Sequence, residues 1–518
     1  TASNNTAVGY ASLTANTTGA SSTAVGKDSL RSNTTGAQNS AFGHASLELN
    51  TTGAYNVGIG DYALYNNTTA SNNVAVGKDA LLANTTGSFN TAVGSSSGTA
   101  ITTGTDTTLI GFESGKALTT ADENTAVGYR ALLKATTGGS NVVMGHSAGQ
   151  DITTGTQNTG IGNLALLGTT TASNNVAIGH SSLQANTTGA ENIAIGKGAL
   201  DANTTADSNI GIGNNALGAN TTGTQNVAVG AASLDANTTG NYNVAVGDNA
   251  LTTNTTADNN TAIGQAALQN NTTGSYNAAI GRNALQLNTT GEENVAVGYA
   301  ALDANTTGVS NVSIGSGALG ANVAGDQSTA VGTNALFTQN PSGNANMNNV
   351  AVGYHALRLS TTGAQNVAVG TFALDANTTG NYNVGVGGET LTDLTTGSFN
   401  TAVGDGAAGN TTTASSNSAF GSGSLLTNTT GANNTAVGKD SLRANTTAGV
   451  NTAVGSLALT ANTTGGRVTA VGYKALTANT TGVNNVAVGC EFSGLNGTLG
   501  SNTTGGSKVA IGNDALGA

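Results

Sequence analysis

Asn226-Val-Ala-Val-Gly-Ala-Ala-Ser-Leu-Asp-Ala-Asn-Thr-Thr-Gly-Asn-Tyr242 is followed directly by Asn243-Val-Ala-Val-Gly247, and the second stretch restarts the first. Gly230, which closes the Val-Ala-Val triplet, has counterparts at Gly9, Gly26, Gly43 and onward to Gly512. Thirty such glycines leave 29 intervals, and 27 of these have the length of the step from Gly9 to Gly26. The two exceptions are longer and run from Gly332 to Gly353 and from Gly489 to Gly512. A period this short and this constant marks a repeat architecture, although a chain of this length would otherwise suggest about three domains.

With the landmark glycine as position zero, the unit reads Asn-[Thr/Val]-Ala-[Val/Ile]-Gly-x-x-Ala-Leu-x-x-Asn-Thr-Thr-Gly-x-x. Position −1 is apolar in all thirty units, as in Val8, Phe42, Ile59 and Met144. Position −2 is Ala, Gly or Ser except at Leu109 and Val143, and position −4 is Asn in 25 units. The triplet from −3 to −1 alternates large, small, large, which is a strand pattern. Gly, Asn and Thr-Thr-Gly interrupt the chain too often for a helix, and the apolar positions do not recur at 3.6. The fold predicted is all-β, a parallel β-solenoid or β-roll of about thirty coils, one coil per 17-residue repeat. It runs over 1–518 as one continuous solenoid, with insertions near 339–347 and 490–501. Coils stacked at ~4.8 Å would make a rod of roughly 140 Å.

In that picture identical side chains form columns. The expected core columns are −1, +4 and +7: Val8, Leu13 and Asn16 in the first coil, Val25, Leu30 and Asn33 in the second. A trade within the sequence supports +7 as an inward position. Gly98, Gly115 and Gly149 replace the usual Leu at +4, and in the same coils Ile101, Leu118 and Ile152 replace the usual Asn at +7. Positions that exchange bulk fill one core space; Ala408 with Thr411 is a weaker case, and Leu391 with Leu394 breaks the trade. An inward Asn is a ladder-bonded amide, not the acceptor of an N-glycan that Asn-Thr-Thr formally offers. The adjacent Thr pair at +8 and +9 turns only one hydroxyl outward, which weighs against an ice-binding face.

The composition removes other classes. Charged residues make up 8% of the chain, one proline excludes collagen, and one cysteine, Cys490, excludes a disulfide framework or a Cys-rich zinc module. A net charge of −12 gives no footprint for nucleic acid, and no apolar run is long enough to insert in a membrane as a helix. Gly94-Ser-Ser-Ser-Gly98 matches a nucleophile elbow in form only, since it is the +4 variant of the repeat. His44, His146 and His180 lie at +1 of distant coils and His355 at +2, so they do not converge on a metal. Asp201, Asp235, Asp303 and Asp375 at +5 read as scattered solubilising charges. The reading is therefore not an enzyme, with no catalytic, cofactor or metal residues.

The units Asn-Val-Ala-Val-Gly and Asn-Ile-Ala-Ile-Gly resemble the head repeats of trimeric autotransporter adhesins, the haemagglutinin-type repeats. The longer unit, with Tyr-x-Ala-Leu-x-x-Asn-Thr-Thr-Gly, resembles repeats of phage-type tail fibres that precede an endosialidase-type chaperone domain. The adhesin unit is shorter and lacks the Asn-Thr-Thr-Gly segment. The resemblance implies a left-handed β-roll, trimeric, on a cell surface, secreted filament or virion.

The function expected is a structural extracellular fibre segment giving length, rigidity and surface display. A receptor-binding tail fibre or adhesin head, and an ice-binding solenoid, stand beside it as alternatives. The partners expected are copies of the chain, as a trimer or in lateral or end-to-end assembly, and a host or cell-surface glycan. Three surfaces are candidates for contact. The −2 column, with Ala177, Ala194 and Ala228, is expected to form a flat outward packing stripe; the opposite orientation, with −1 at a trimer axis, stays open. The insertions hold Pro341 and Met347 in one and Cys490 and Phe492 in the other, and are read as contact loops. Tyr55, Tyr242, Tyr276 and Tyr382 at +12, with Phe89 and Phe399, form an exposed aromatic subset suited to stacking on glycans or on a neighbour. Thr1 falls at +9 and Ala518 at +6, a phase from which a longer continuous polypeptide is expected.

Overall fold

The structure is a computed structural model that describes residues 2–491 and 497–516. Thr1, Phe492 and Ala518, and the expectations attached to them, lie outside the described residues. The chain forms two compact units, Thr1–Asn259 and Asn260–Ala518. Each is a parallel β-solenoid whose coils repeat with the sequence. In the first unit, fifteen short strands run from Thr6–Val8 to Val244–Val246. Each pairs in parallel with the next and in register, so that Thr6 faces Thr23 and Ile195 faces Ile212. The second unit has fifteen equivalent strands, from Thr261–Ile263 to Val509–Ile511.

In the regular coils only the −3 to −1 triplet is extended, as in Val227–Val229, so the rest of the coil must turn. The landmark glycine makes the first corner. Gly213 has φ +142°, and a Cβ there would lie 2.3 Å from the carbonyl oxygen of Gly230 in the next coil. That backbone region belongs almost wholly to glycine. Three further corners at +2, +4 and +12 are left-handed without being glycine: Ala232, Leu234 and Tyr242 have φ 51°, 51° and 59°. L-residues adopt this conformation at a cost. The corners are held by bonds to both neighbouring coils: Leu234 N–H donates to Ala250 O of the next coil at 3.0 Å, while Ala232 N–H and Tyr242 N–H donate to Asn214 O and Thr224 O of the preceding one at 2.9 and 3.2 Å. Stacking therefore satisfies the corner backbone as well as the strand.

The interior is narrow. Leu at +4 and Ala at −2 are fully buried, as in Leu200, Leu217, Ala194 and Ala228. This overturns the expected orientation of the strand. Ala177, Ala194 and Ala228 are core residues, not a packing stripe, and Val8 and Val25 are not core: Val8 is 57% exposed and Val25 only half-buried. In so short a strand the middle side chain points opposite to its two neighbours. The space inside is already taken by the +4 leucine, so the inward residue is the small one. A Cβ on Gly211, at −2, would lie 3.3 Å from Leu200 Cγ. Leu30 is buried as expected, whereas Leu13, in the first coil, is half-buried.

Two asparagine columns complete the core. At +7, Asn33 and Asn50 are buried, and Asn50 Nδ2 donates to Asn33 Oδ1 at 2.8 Å and to Gly53 O at 3.0 Å. Asn16, below them, is half-buried and accepts from Asn33 Nδ2 at 3.0 Å. At −4, Asn39 Nδ2 donates to the same Gly53 O at 2.8 Å, and its Oδ1 accepts from Asn56 N–H at 2.9 Å. One carbonyl thus ties the two amides together, and the −4 amide supplies the acceptor that the neighbouring backbone lacks. Where +7 turns apolar, the ladder is cut: Ile101 stands over Asn84 and Leu394 over Asn377, and the Oδ1 atoms of both asparagines have no partner. Buried amide oxygens without donors are destabilising, and the apolar contacts of those coils offset it.

The expected trade between +4 and +7 is present in the three glycine coils, with a third participant, whereas Leu391 and Leu394 are both fully buried in one coil and do not trade. A Cβ on Gly98 would meet Ile101 Cδ1 at 3.1 Å and Leu109 Cδ1 at 2.8 Å, and one on Gly149 would meet Ile152 Cδ1 and Val143 Cγ1, each at 2.9 Å. Leu109 and Val143, the two bulky residues at −2, fill the holes that the missing +4 leucines leave.

Candidate interaction surface

The strand face opposite the core carries −1 and −3 outward. In the first unit Ile59, Ile110, Met144, Ile178 and Ile212 at −1 are between 36% and 43% exposed, and −3 presents Val, Ile or Thr beside them. The second unit shows the same column, with Ile263, Ile280, Ile314 and Phe420. In-register pairing places like on like, for example Ile193 beside Ile210 and Ile195 beside Ile212. Each unit therefore exposes an unbroken apolar column at −1, beside a −3 column that mixes Val and Ile with Thr and Ser. Monomeric soluble proteins rarely leave apolar surface of that extent open.

The asparagine-threonine segment faces the other way. Thr34 at +8 is half-buried and its hydroxyl donates to Thr51 O at 3.0 Å, while Thr35 at +9 is exposed. One hydroxyl per coil faces outward, as the sequence implied.

The longer interval from Gly332 to Gly353 packs Gln339, Pro341 and Met347 onto the coil and leaves Ser342, Gly343 and Asn344 exposed between them. Gln339 occupies the +7 place and is buried, donating to Asn322 Oδ1 at 3.2 Å and accepting from Asn349 Nδ2 at 2.9 Å. Pro341 packs over Gly325, whose added Cβ would lie 3.1 Å from the proline ring, and Met347 is 2% exposed. Ala345–Asn346 adds a short parallel strand against Gly325–Asp326. Pro341 and Met347 are thus packing residues. The extra length is folded onto the coil because its apolar and amide groups repair the ladder there. In the other interval, Cys490 is half-buried with its thiol 3.2 Å from Asn513 Oδ1.

Most charged groups sit at +1 to +6, and most of the others at +11 and +12, as in Asp122 and Glu293. Asp201 and Asp235 at +5 are half-buried, not fully exposed as expected, and they flank Gly218; Asp303 and Asp375 are half-buried too. Burial pushes the carboxyls of Asp201 and Asp235 up from their ordinary range, and the charge of Asp201 adds to the effect on Asp235. Arg358 makes a two-point pair with Asp375, at 2.9 and 3.1 Å. Glu113 lies between Lys116, at 2.7 Å, and Arg130, at 2.8 Å, and the hydrogen bond from Lys116 leads in holding its carboxyl below the usual range. His44 bonds Asp61 at 2.9 Å and His355 stacks on Tyr354 at 3.8 Å. No three His, Cys, Asp or Glu side chains gather as a metal cage among the described residues.

Aromatic residues form two sets. At +12, Tyr55, Phe89, Tyr242, Tyr276, Tyr382 and Phe399 are half or more exposed, and Tyr382 stacks on Phe399 at 5.0 Å and 4°. The second set, at +1, +2 and +5, escaped the sequence reading. It includes the stack of Phe112, Tyr129 and His146 in successive coils, at 5.5 and 5.0 Å. It also includes Tyr62 and Tyr65, with ring centroids 5.4 Å apart. The signal available was the period itself, since residues one repeat apart are neighbours. No helix among the described residues is long and apolar enough to cross a membrane. Comparison with protein-family models and with curated proteins finds no match to the chain.

Proposed function

We propose that the chain is a structural segment of an extracellular fibre, and that it assembles with copies of itself through the −1/−3 face. The uninterrupted apolar −1 column on each unit carries this reading. Covering the exposed two-fifths of one Ile is worth roughly 0.6–1.2 kcal/mol, from about 1.5–3 for a full side chain. One rung is therefore negligible against an association cost of about 4–15 kcal/mol, whereas a column of rungs summed along a unit is comparable with it. Length is what makes the contact hold, which suits a fibre. An extracellular setting rests on the resemblance of the repeats to adhesin-head and tail-fibre units.

Sedimentation velocity tests the assembly. The chain is expected to sediment well above its own 50.1 kDa. The triple variant Ile178→Lys, Ile195→Lys, Ile212→Lys is expected to shift toward single chains while keeping its β-type circular dichroism. Thr188→Lys, on the opposite side, should leave assembly unchanged. A native chain that sediments as a monomer over the accessible concentration range would overturn the proposal.

A further inference from the structure

One corner of the first unit has a geometry that the repeat alone does not require. Tyr62 and Tyr65 stand at +2 and +5 of one coil, with ring planes at 72° to each other. They wall a cavity of about 390 Å³ completed by Asn66, Asp79 and Leu82. Asp79 lies directly over Tyr62 in the next coil, and Leu82 over Tyr65, since each pair is one repeat apart. The corner is braced from below. His44 meets the Tyr62 ring edge-on at 5.1 Å and is itself held by Asp61 at 2.9 Å. Tyr62 N–H donates to His44 O at 3.0 Å, and Tyr65 N–H to Tyr62 O at 3.3 Å. The Asn66 amide and the Asp79 carboxylate make no side-chain hydrogen bond or ion pair among the described residues.

We propose that this corner is a binding site for a neutral sugar ring. A pyranose has an apolar face of C–H groups and a rim of hydroxyls. One tyrosine ring offers a stacking platform and the second, nearly perpendicular, closes a side; both keep a phenolic hydroxyl at the wet edge. A carboxylate accepts from two vicinal hydroxyls through charge-assisted bonds, and an amide both donates and accepts. The hollow is open to solvent, and its volume falls in the range of small-ligand sites. No cationic side chain lines it, and Asp61 and Asp79 lie close by, so uronates and sialylated sugars are repelled. The rigid brace matters because a preformed site loses less ordering entropy on binding.

The probes are immobilised neutral oligosaccharides of glucose, galactose, mannose and N-acetylglucosamine, with an oligogalacturonate as the charged control, presented to the full chain. At least one neutral probe is expected to be bound and the uronate not. Tyr65→Ala and Asp79→Asn should each weaken binding by about tenfold or more, the loss expected for one charge-assisted bond or one stacking face. Tyr62→Asn should do the same while suiting the left-handed backbone at that position. Tyr65→Phe should bind nearly as the native chain does, and Tyr242→Ala, at +12, should bind unchanged. Binding of no neutral probe, or equal binding by Tyr65→Ala and the native chain, overturns the site. Sedimentation of the same samples reports assembly independently, so failure here leaves the fibre reading standing.

Discussion

Leu109→Ala is the substitution that most directly tests how the core is filled. Leu109 is fully buried and serves two coils at once: a Cβ added to Gly98 would lie 2.8 Å from its Cδ1, and one added to Gly115 would lie 2.6 Å from its Cδ2. Truncation therefore opens a space that two missing +4 leucines border, and the stacked backbone prevents collapse into it. The cost belongs in the upper part of the Leu→Ala range, about 3–5 kcal/mol. Solenoid coils couple mainly to their neighbours, so the damage should stay local. Hydrogen exchange read by mass spectrometry on peptides from residues 91–128 should accelerate by roughly 100- to 5,000-fold. Peptides around Gly213 should not change. Gly98→Leu alone should overpack and cost about 1–3 kcal/mol, because the new side chain and Leu109 claim one volume. Combined with Leu109→Ala it should instead recover about half of the loss, since Leu already occupies the same left-handed place at +4 in most coils. If Gly98→Leu proved neutral beside an intact Leu109, or if Leu109→Ala cost under about 1 kcal/mol, the shared-volume account would be wrong.

The backbone and the charges each set further outcomes. Gly213→Ala should cost at least about 3 kcal/mol in urea or thermal unfolding, combining a glycine-only φ with a carbonyl at 2.3 Å, whereas Gly343→Ala, with φ +84° and nothing within 4 Å of the added carbon, should cost only about 1. Asp235, whose folded value is raised by burial and then by Asp201, should contribute stability that is complete at acid pH below the unfolded value and is lost as pH rises through the folded one. Asp235→Asn should remove that part of the pH dependence in urea midpoints. Glu113→Gln should remove a contribution of opposite sign, present above the unfolded value and lost as pH falls through the lowered folded value.

The period, the parallel register and the buried +7 asparagine are legible because each rests on a regularity repeated many times. The orientation of the strand is not evident from composition, although the sequence holds the clue. Leu109 and Val143 stand out at −2 only in coils next to a +4 glycine, and that coincidence places −2 inside. Composition misleads because an apolar −1 reads as core in a monomer, while here the narrow interior is filled mainly by the +4 leucine and the apolar surplus faces out. The left-handed corners at +2, +4 and +12 carry no signature, since Leu, Tyr and Gln occupy them as readily as Asn. They are imposed by the stack, not by local preference. The Tyr62–Tyr65 corner is hidden because the two rings are not adjacent along the chain, while Asp79 reaches them only through the repeat.

A ladder of near-identical rungs has a weakness of its own: sliding one stretch past another by a whole repeat trades each contact for its equivalent. Regular coils cannot tell the native alignment from such a shift, and neither can two copies laid face to face. The irregular rungs can. Leu109 fits only beside Gly98 and Gly115, Val143 only beside Gly149, and Gln339 only between Asn322 and Asn349. A slip of one repeat would drive Leu109 into a full-sized leucine at one end and leave a void at the other, at a cost of several kcal/mol. These few departures act as keys in an otherwise degenerate lock, and they fix which coil meets which.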